Sequence, residues 1–305
     1  MRTIVLTAAA AAFLIIIMPE SSAHAQGDPQ AQMKAQVQAA FEAAHKTATV
    51  GPAKIPLLDQ GTLTITPGEV FIPATEANQI MAALGNQTSP ARFGLIMPKG
   101  DDLRWMVDVD WVNDGYVRDG DAKDWQPDAM LQDLKDGTEH GNVERQARGI
   151  PPLDVTGWVE QPAYDNRAHR LVWSLALRDR GAPANEPQTI NYNTYALGRD
   201  GYFSLDLITG SDTIAADKGI AKDLLASLNY APGKRYEDFT SSTDKVAEYG
   251  LGALIGVVAV KKLGLIGMLG LFLVKVWKLA AIAIAAGAAA VRRFLRKGGG
   301  DQAAA

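Results

Sequence analysis

The chain has 305 residues, no cysteine, 47% hydrophobic residues and a formal net charge of −4. The missing thiols exclude disulfides, cysteine nucleophiles, iron–sulfur clusters and cysteine-ligated zinc, so a folded domain here must rest on core burial. The charge is unevenly placed. Residues 26–245 carry 21 Lys and Arg against 31 Asp and Glu, whereas residues 246–305 carry eight bases against two acids. The acidic body argues against nucleic acid as a partner, because phosphates need a basic surface. The basic, apolar tail suits an anionic membrane face.

Residues 1–25 have the pattern of a cleaved secretory signal peptide. Arg2 supplies the positive start, Ile4 to Met18 the apolar run, Pro19 the break, and Ala23-His24-Ala25 the small residues of a cleavage site. Residues 26–245 then read as one exported, periplasmic α+β domain. Gln30 to Thr47 is rich in Ala and Gln and predicts a surface helix ending at Gly51-Pro52. Short strands are predicted at Gly61 to Thr66, Val70 to Ile72 and Phe93 to Met97, with a helix over Ala74 to Leu84. Trp105 to Trp111 alternates apolar residues with Met106, Asp108 and Asp110, the pattern of a half-buried strand with a solvated face. Asn113-Asp114-Gly115 predicts a turn that returns Tyr116-Val117 as its hairpin partner. Pro127 to Arg148 predicts a helix with Pro in the first position. Strands follow at Val155 to Glu160, His169 to Leu177, Thr189 to Leu197 and Tyr202 to Ile208, the last two joined by Gly198 to Gly201. A helix spans Ala215 to Leu228. Strands outnumber helices and connections are short, so a mainly antiparallel sheet with a few helices fits best.

Residues 246–297 read as a hydrophobic membrane-anchoring region, and residues 298–305 as a short tail. No single apolar run reaches the ~20 residues a spanning helix needs, but Leu263 to Val291 joined as one helix would be about 43 Å long. A single crossing places Arg292 and Arg293 at the cytoplasmic face, as the positive-inside rule prefers, with Lys275, Trp277 and Lys278 at the periplasmic interface. A helical hairpin turning near Lys275 to Lys278 is the rival topology. Gly252, Gly256, Gly264, Gly267 and Gly270 form a small-residue stripe suited to close helix contact, with a second copy or with another membrane protein.

Catalytic signatures are weak. Asp110, Asp114, Gly115 and Asp121 fall at calcium-loop positions one, five, six and twelve, but Val112 holds position three and the final Glu is missing. His140 and Glu144 share a helix face without a second His to complete a metal site. No nucleophile elbow, Walker loop or dinucleotide fingerprint occurs. No cofactor and no enzymatic activity are expected.

Several stretches together carry a resemblance. They are Trp111 to Asp119, Gly137-Thr138-Glu139 with Asn142 and Glu144-Arg145, Gly149 to Leu153, Gly157 to Asp165, Asn191 to Thr194, Leu197 to Tyr202, and Tyr236 to Phe239 through Thr243 to Leu251. In these the chain resembles the bacterial family of predicted membrane-anchored proteins known as domain of unknown function 2167. The resemblance implies an exported domain with a C-terminal anchor, and no activity, cofactor or catalytic residue. Among the motif polar residues, Asn142, Arg145 and Arg199 are the candidates for ligand binding. The expected role is a membrane-anchored envelope protein that binds, senses or scaffolds, in contact with membrane lipid, located in the bacterial inner membrane with its domain in the periplasm. The alternatives are an accessory subunit of a transporter or membrane complex, and an envelope hydrolase.

Overall fold

The computed structural model describes residues 29–100, 103–147 and 149–256. The expected signal peptide and most of the apolar tail lie outside those residues. The chain folds as an α+β domain around an eight-stranded sheet in which every neighbouring pair is antiparallel. In chain order come α1 (Pro29–Thr47), β1 (Thr49–Val50), β2 (Ala53–Leu57), β3 (Gly61–Ile65), β4 (Glu69–Pro73), α2 (Ala74–Ala83), β5 (Arg92–Pro98), β6 (Met106–Val112) and β7 (Tyr116–Arg118). They are followed by α3 (Pro127–Ala147), β8 (Leu153–Asp165), β9 (Arg170–Asp179), β10 (Thr189–Leu197), β11 (Tyr202–Gly210), α4 (Ile214–Ser227), β12 (Asn229–Tyr230) and β13 (Val246–Gly250). The large sheet runs β1-β4-β5-β6-β11-β10-β9-β8. Smaller sheets are β12-β3-β2 and the parallel pair β13-β7.

The strand period of two sorts the central side chains onto two faces. On one face Phe203, Leu205 and Leu207 of β11 pack with Val107 and Val109 of β6, beneath α4 and the β2–β3 hairpin. The other face holds two separate apolar clusters. One seats α1 and α2 on Leu95, Met97, Met106 and Ile208. The other packs Leu134 of α3 with Leu171, Trp173, Leu175, Tyr195 and Tyr202. Both faces are therefore covered, and the expected solvated side of β6 does not exist: Asp110 is only 5% exposed.

The predicted helices and most strands stand where the periodicity places them, with two corrections. Tyr116-Val117 does not return as the hairpin partner of β6. Gly115 N donates to Asp200 O and Tyr116 N donates to Lys245 O, so the segment crosses the end of β11 and pairs with β13. Residues 246–250, assigned by composition to the tail, form β13 and belong to the domain. The turn between β10 and β11 does behave as a tight reversal. Gly201 has φ +154°, and a Cβ there would stand 1.9 Å from Val112 O, so only glycine lets β6 and β11 close together at this end.

β8 is the long edge of the sheet. Three register shifts against β9 bend it, and Pro162 removes one donor, both devices that discourage pairing with another chain. At the tip of the β2–β3 hairpin Leu58 has φ +54° and is 61% exposed. The left-handed region costs an ordinary L-residue about 1–2 kcal/mol, whereas Asn tolerates it. Leu58→Asn should therefore leave stability unchanged or raise it by up to ~1 kcal/mol. A drop of more than about 1 kcal/mol in chemical denaturation would show that the exposed leucine is held by contacts that outweigh its backbone strain.

Candidate functional site: a motif cluster that grips the start of the tail

At the end of the sheet where β6 stops and β11 begins, side chains from five separate segments meet. Phe239, Tyr116, Tyr236 and His169 stack in a row, with ring centroids 3.9, 4.3 and 4.1 Å apart. The Tyr236 hydroxyl donates to Val117 O at 2.8 Å. Beside the row, the Tyr164 hydroxyl donates to Asp119 Oδ2 at 2.7 Å and lies 3.1 Å from His169 Nδ1. Tyr249 donates to Asp114 Oδ2 at 2.5 Å. Burial pushes the phenols of Tyr164, Tyr236 and Tyr249 above the ordinary tyrosine range, reinforced at Tyr164 and Tyr249 by the bonds to Asp119 and Asp114 and at Tyr236 by the neighbouring Tyr116. They are held as neutral hydrogen-bond donors.

The cluster's most specific feature is what Asp121 does. Its Oδ1 accepts Leu251 N at 3.2 Å and its Oδ2 accepts Gly252 N at 2.7 Å, with the Trp125 indole N–H 3.5 Å from the same oxygen. A carboxylate 130 residues upstream thus caps the helical turn Leu251–Leu254, satisfying donors that a helix start leaves open. Leu251, Leu254 and Ile255 are fully buried in the α3-side core, and the Tyr195 hydroxyl donates to Leu254 O at 3.3 Å. A Cβ on Gly252 would sit 2.8 Å from Asp121 Oδ2 and 3.1 Å from Trp125 Nε1. Within the domain, the glycine is needed for this close approach.

The other sequence candidates have clear places. Asn142 is buried in α3; its amide donates to Leu153 O at 2.9 Å and accepts from Leu153 N at 2.8 Å. Arg145 is buried one turn later and donates from Nε to Pro151 O at 2.9 Å. Arg199 grips Asp244 with two 2.7 Å bonds and donates to Gly233 O. All three bind this chain's own segments: the first two hold the start of β8 to α3, and the third holds the 233–244 loop. The structure brings Asn142 and Arg145 to the start of β8 and places Arg199 on a different segment. Gly256 donates its N–H to Gly252 O. Gly264, Gly267, Gly270, Lys275, Trp277, Lys278, Arg292 and Arg293 lie outside the described residues. The suggested calcium pattern is not formed as a site: Asp114 receives Tyr249, Asp121 caps the 251 turn, and among the described residues no three metal-ligating groups converge.

Sequence reading missed a second polar feature. On the face with two apolar clusters, Asp108 and Asp110 of β6, Ser204 and Asp206 of β11, and Asn193 of β10 form a seam between them. Asp206 stands directly between Asp108 and Asn193 in the strand register. Arg92 reaches in from β5 and binds Asp108 through Nε at 2.8 Å and Nη2 at 2.9 Å, and its Nη1 donates to Asn78 on α2 at 2.5 Å. The alternation that placed Asp108 and Asp110 on one face was visible; what covers that face was not.

The fold and cluster define an α+β domain, built on a mainly antiparallel sheet, whose motif residues fasten the segment that follows it. The chain belongs to the family described as protein of unknown function (DUF2167), whose model matches residues 49–285. No functionally curated protein is significantly similar to it. Among solved structures it is similar to CyanoP, the cyanobacterial PsbP of Synechocystis, at 10% identity over 60% of this chain and 91% of that one, with a TM-score of 0.36. It is also similar to the Ran-binding protein Mog1p of Saccharomyces cerevisiae, at 10% identity over 59% and 96%, with a TM-score of 0.32. At that identity the likeness concerns backbone layout alone.

Two outcomes follow from the ion pairs. Asp108→Leu strands the Arg92 guanidinium in the interior and should cost about 3–5 kcal/mol, whereas Arg92→Met combined with Asp108→Leu should cost less than the two single changes added together; additive losses in denaturant titrations would contradict a coupled pair. Arg199 holds the Asp244 carboxyl well below its usual range. The folded pKa is depressed, so the contribution is present above the ordinary value of ~3.9 and is lost as pH falls through and below it. Arg199→Gln should lower stability at pH 7 and flatten its dependence on pH below ~4; an unchanged acid profile would mean that the pair adds nothing.

Proposed function

We propose that this protein is a tethered, non-catalytic module of the bacterial envelope. On this reading residues 1–25 direct export, the apolar part of residues 246–297 enters the inner membrane, and the folded domain presents a binding or scaffolding surface in the periplasm. The observation that carries the reading is the capped, buried turn Leu251–Leu254. The first residues of the apolar tail are core residues of the domain, so the domain is set at a fixed attitude to whatever holds the rest of the tail. A module meant to sweep freely would be joined through a polar, flexible linker.

Composition supplies the remaining support. The tail's apolar runs and terminal arginines match an anchored segment with its basic end in the cytoplasm. Among the described residues no helix is long and apolar enough to cross a membrane, so the anchor falls to residues beyond Gly256, where Gly264, Gly267 and Gly270 would serve contacts with a second copy or a membrane partner. The neutral tyrosines and committed carboxylates of the motif cluster favour a mechanical role for it over a chemical one.

Cell fractionation tests this. The full chain should sediment with membranes, resist carbonate extraction and dissolve in detergent, and its acidic domain should be digested by protease added to spheroplasts. Recovery in the soluble fraction, or a domain protected from external protease, would refute the assignment. Asp121→Ala removes the cap and should cost ~1 kcal/mol, exposing the 251–256 segment to proteolysis while leaving membrane association intact.

A further inference from the structure

The face of the sheet opposite the start of the tail carries a groove that shares only Tyr164 with the motif cluster. α4 lies over β10 and β11, and β8 bends at its register shifts, leaving an open trough of about 660 Å³ along β9. Val172 and Arg170 form its floor, Lys222, Leu225 and Ala226 of α4 one wall, and Glu160, Ala163, Tyr164 and Asp165 of β8 with Ala168 the other. Arg170 differs from the chain's ion-paired arginines. Arg92, Arg180 and Arg199 each hold a carboxylate. Arg170 donates Nη2 to Leu228 O at 2.7 Å, its Nη1 is buried with no hydrogen-bond partner, and no carboxylate acts on it. A guanidinium donor withdrawn from water and left unmatched loses hydration without recompense. Burial accordingly pulls its pKa down. Nearby, Lys222 Nζ sits 3.4 Å from Glu160 Oε1 and is half exposed, a loose pair, while Glu160 also accepts from the Tyr192 hydroxyl at 3.0 Å.

We propose that this groove binds a small anionic amphiphile, a phosphate or carboxylate head on a short apolar chain. Lys222 takes the head as a half-exposed point charge, and the Arg170 guanidinium, with no carboxylate acting on it, adds positive charge from the floor. Val172, Leu225 and Ala226 take the apolar part. The arriving anion competes with Glu160 for Lys222, so Glu160 opposes binding, as does the charge of the lining Asp165.

Isothermal titration calorimetry on the full chain in a non-ionic maltoside detergent tests the site, with inorganic phosphate, butyl phosphate and butylammonium as probes. Butyl phosphate should bind about tenfold tighter than inorganic phosphate, and butylammonium should give no heat. Lys222→Gln should weaken butyl phosphate binding about tenfold. Glu160→Gln keeps an acceptor for Tyr192 and should tighten it, a gain that loss of folding does not produce. Hydrogen exchange should show protection by butyl phosphate confined to residues 218–228 and 160–172. Equal affinity for the two phosphates overturns the amphiphile assignment. Absence of anion binding, or binding indifferent to both substitutions, overturns the site.

Discussion

A sheet covered on both faces can keep a polar side chain only by setting it against another, and this fold is built around that constraint. β6, β11 and β10 lie at the centre with apolar layers above and below, yet they carry Asp108, Asp110, Ser204, Asp206 and Asn193 on one side. The antiparallel register places Asp108 beside Asp206, an arrangement that like charges resist. Arg92, doubly bound to Asp108 and drawn also toward Asp110, supplies the opposing charge from β5. The seam dictates the layer above it. Helices with apolar faces cannot lie over carboxylates, so α1 and α2 pack to one side and α3 to the other, and the two apolar clusters stay separate.

That division explains what the sequence could and could not disclose. Alternation in Trp105 to Trp111 and in Tyr202 to Ile208 was enough to place strands and to say which residues share a face. It could not say what roofs each face, and the aspartates of β6 look solvated until α2 and Arg92 are seen beside them. Asn113-Asp114-Gly115 has the local chemistry of a hairpin turn, but the turn's backbone bonds go to Asp200 and Lys245, partners too distant in sequence for a local pattern to reveal. β13 was invisible for the same reason: its partner lies 130 residues away and runs parallel. Asn142, Arg145 and Arg199 stood out as motif residues of a kind that binds ligands. Each fastens one segment of the chain to another, and a polar residue that holds backbone looks, in sequence, the same as one that holds a ligand.

The motif cluster gathers these fasteners at one end of the sheet. The aromatic row of Phe239, Tyr116, Tyr236 and His169 supplies packing that holds the 236–239 turn against β7 and the β8–β9 tip. Arg199 with Asp244 fixes the loop that follows, and Asp121 fixes the turn after that. Domain and tail are consequently not separable modules. A cut at residue 245, where composition changes, would remove β13 together with Leu251, Leu254 and Ile255 from the core, and β7 would lose its only strand partner among the described residues.

The same strand alternation then sets the relation between the tail and the groove. Leu171 and Trp173 point to the face where Leu254 is packed, so Arg170 and Val172, their neighbours in β9, point to the other. The groove and the start of the tail therefore occupy opposite faces of one rigid sheet. Among the described residues the groove's mouth between α4 and β8 is therefore separated by the sheet from the turn Leu251–Leu254.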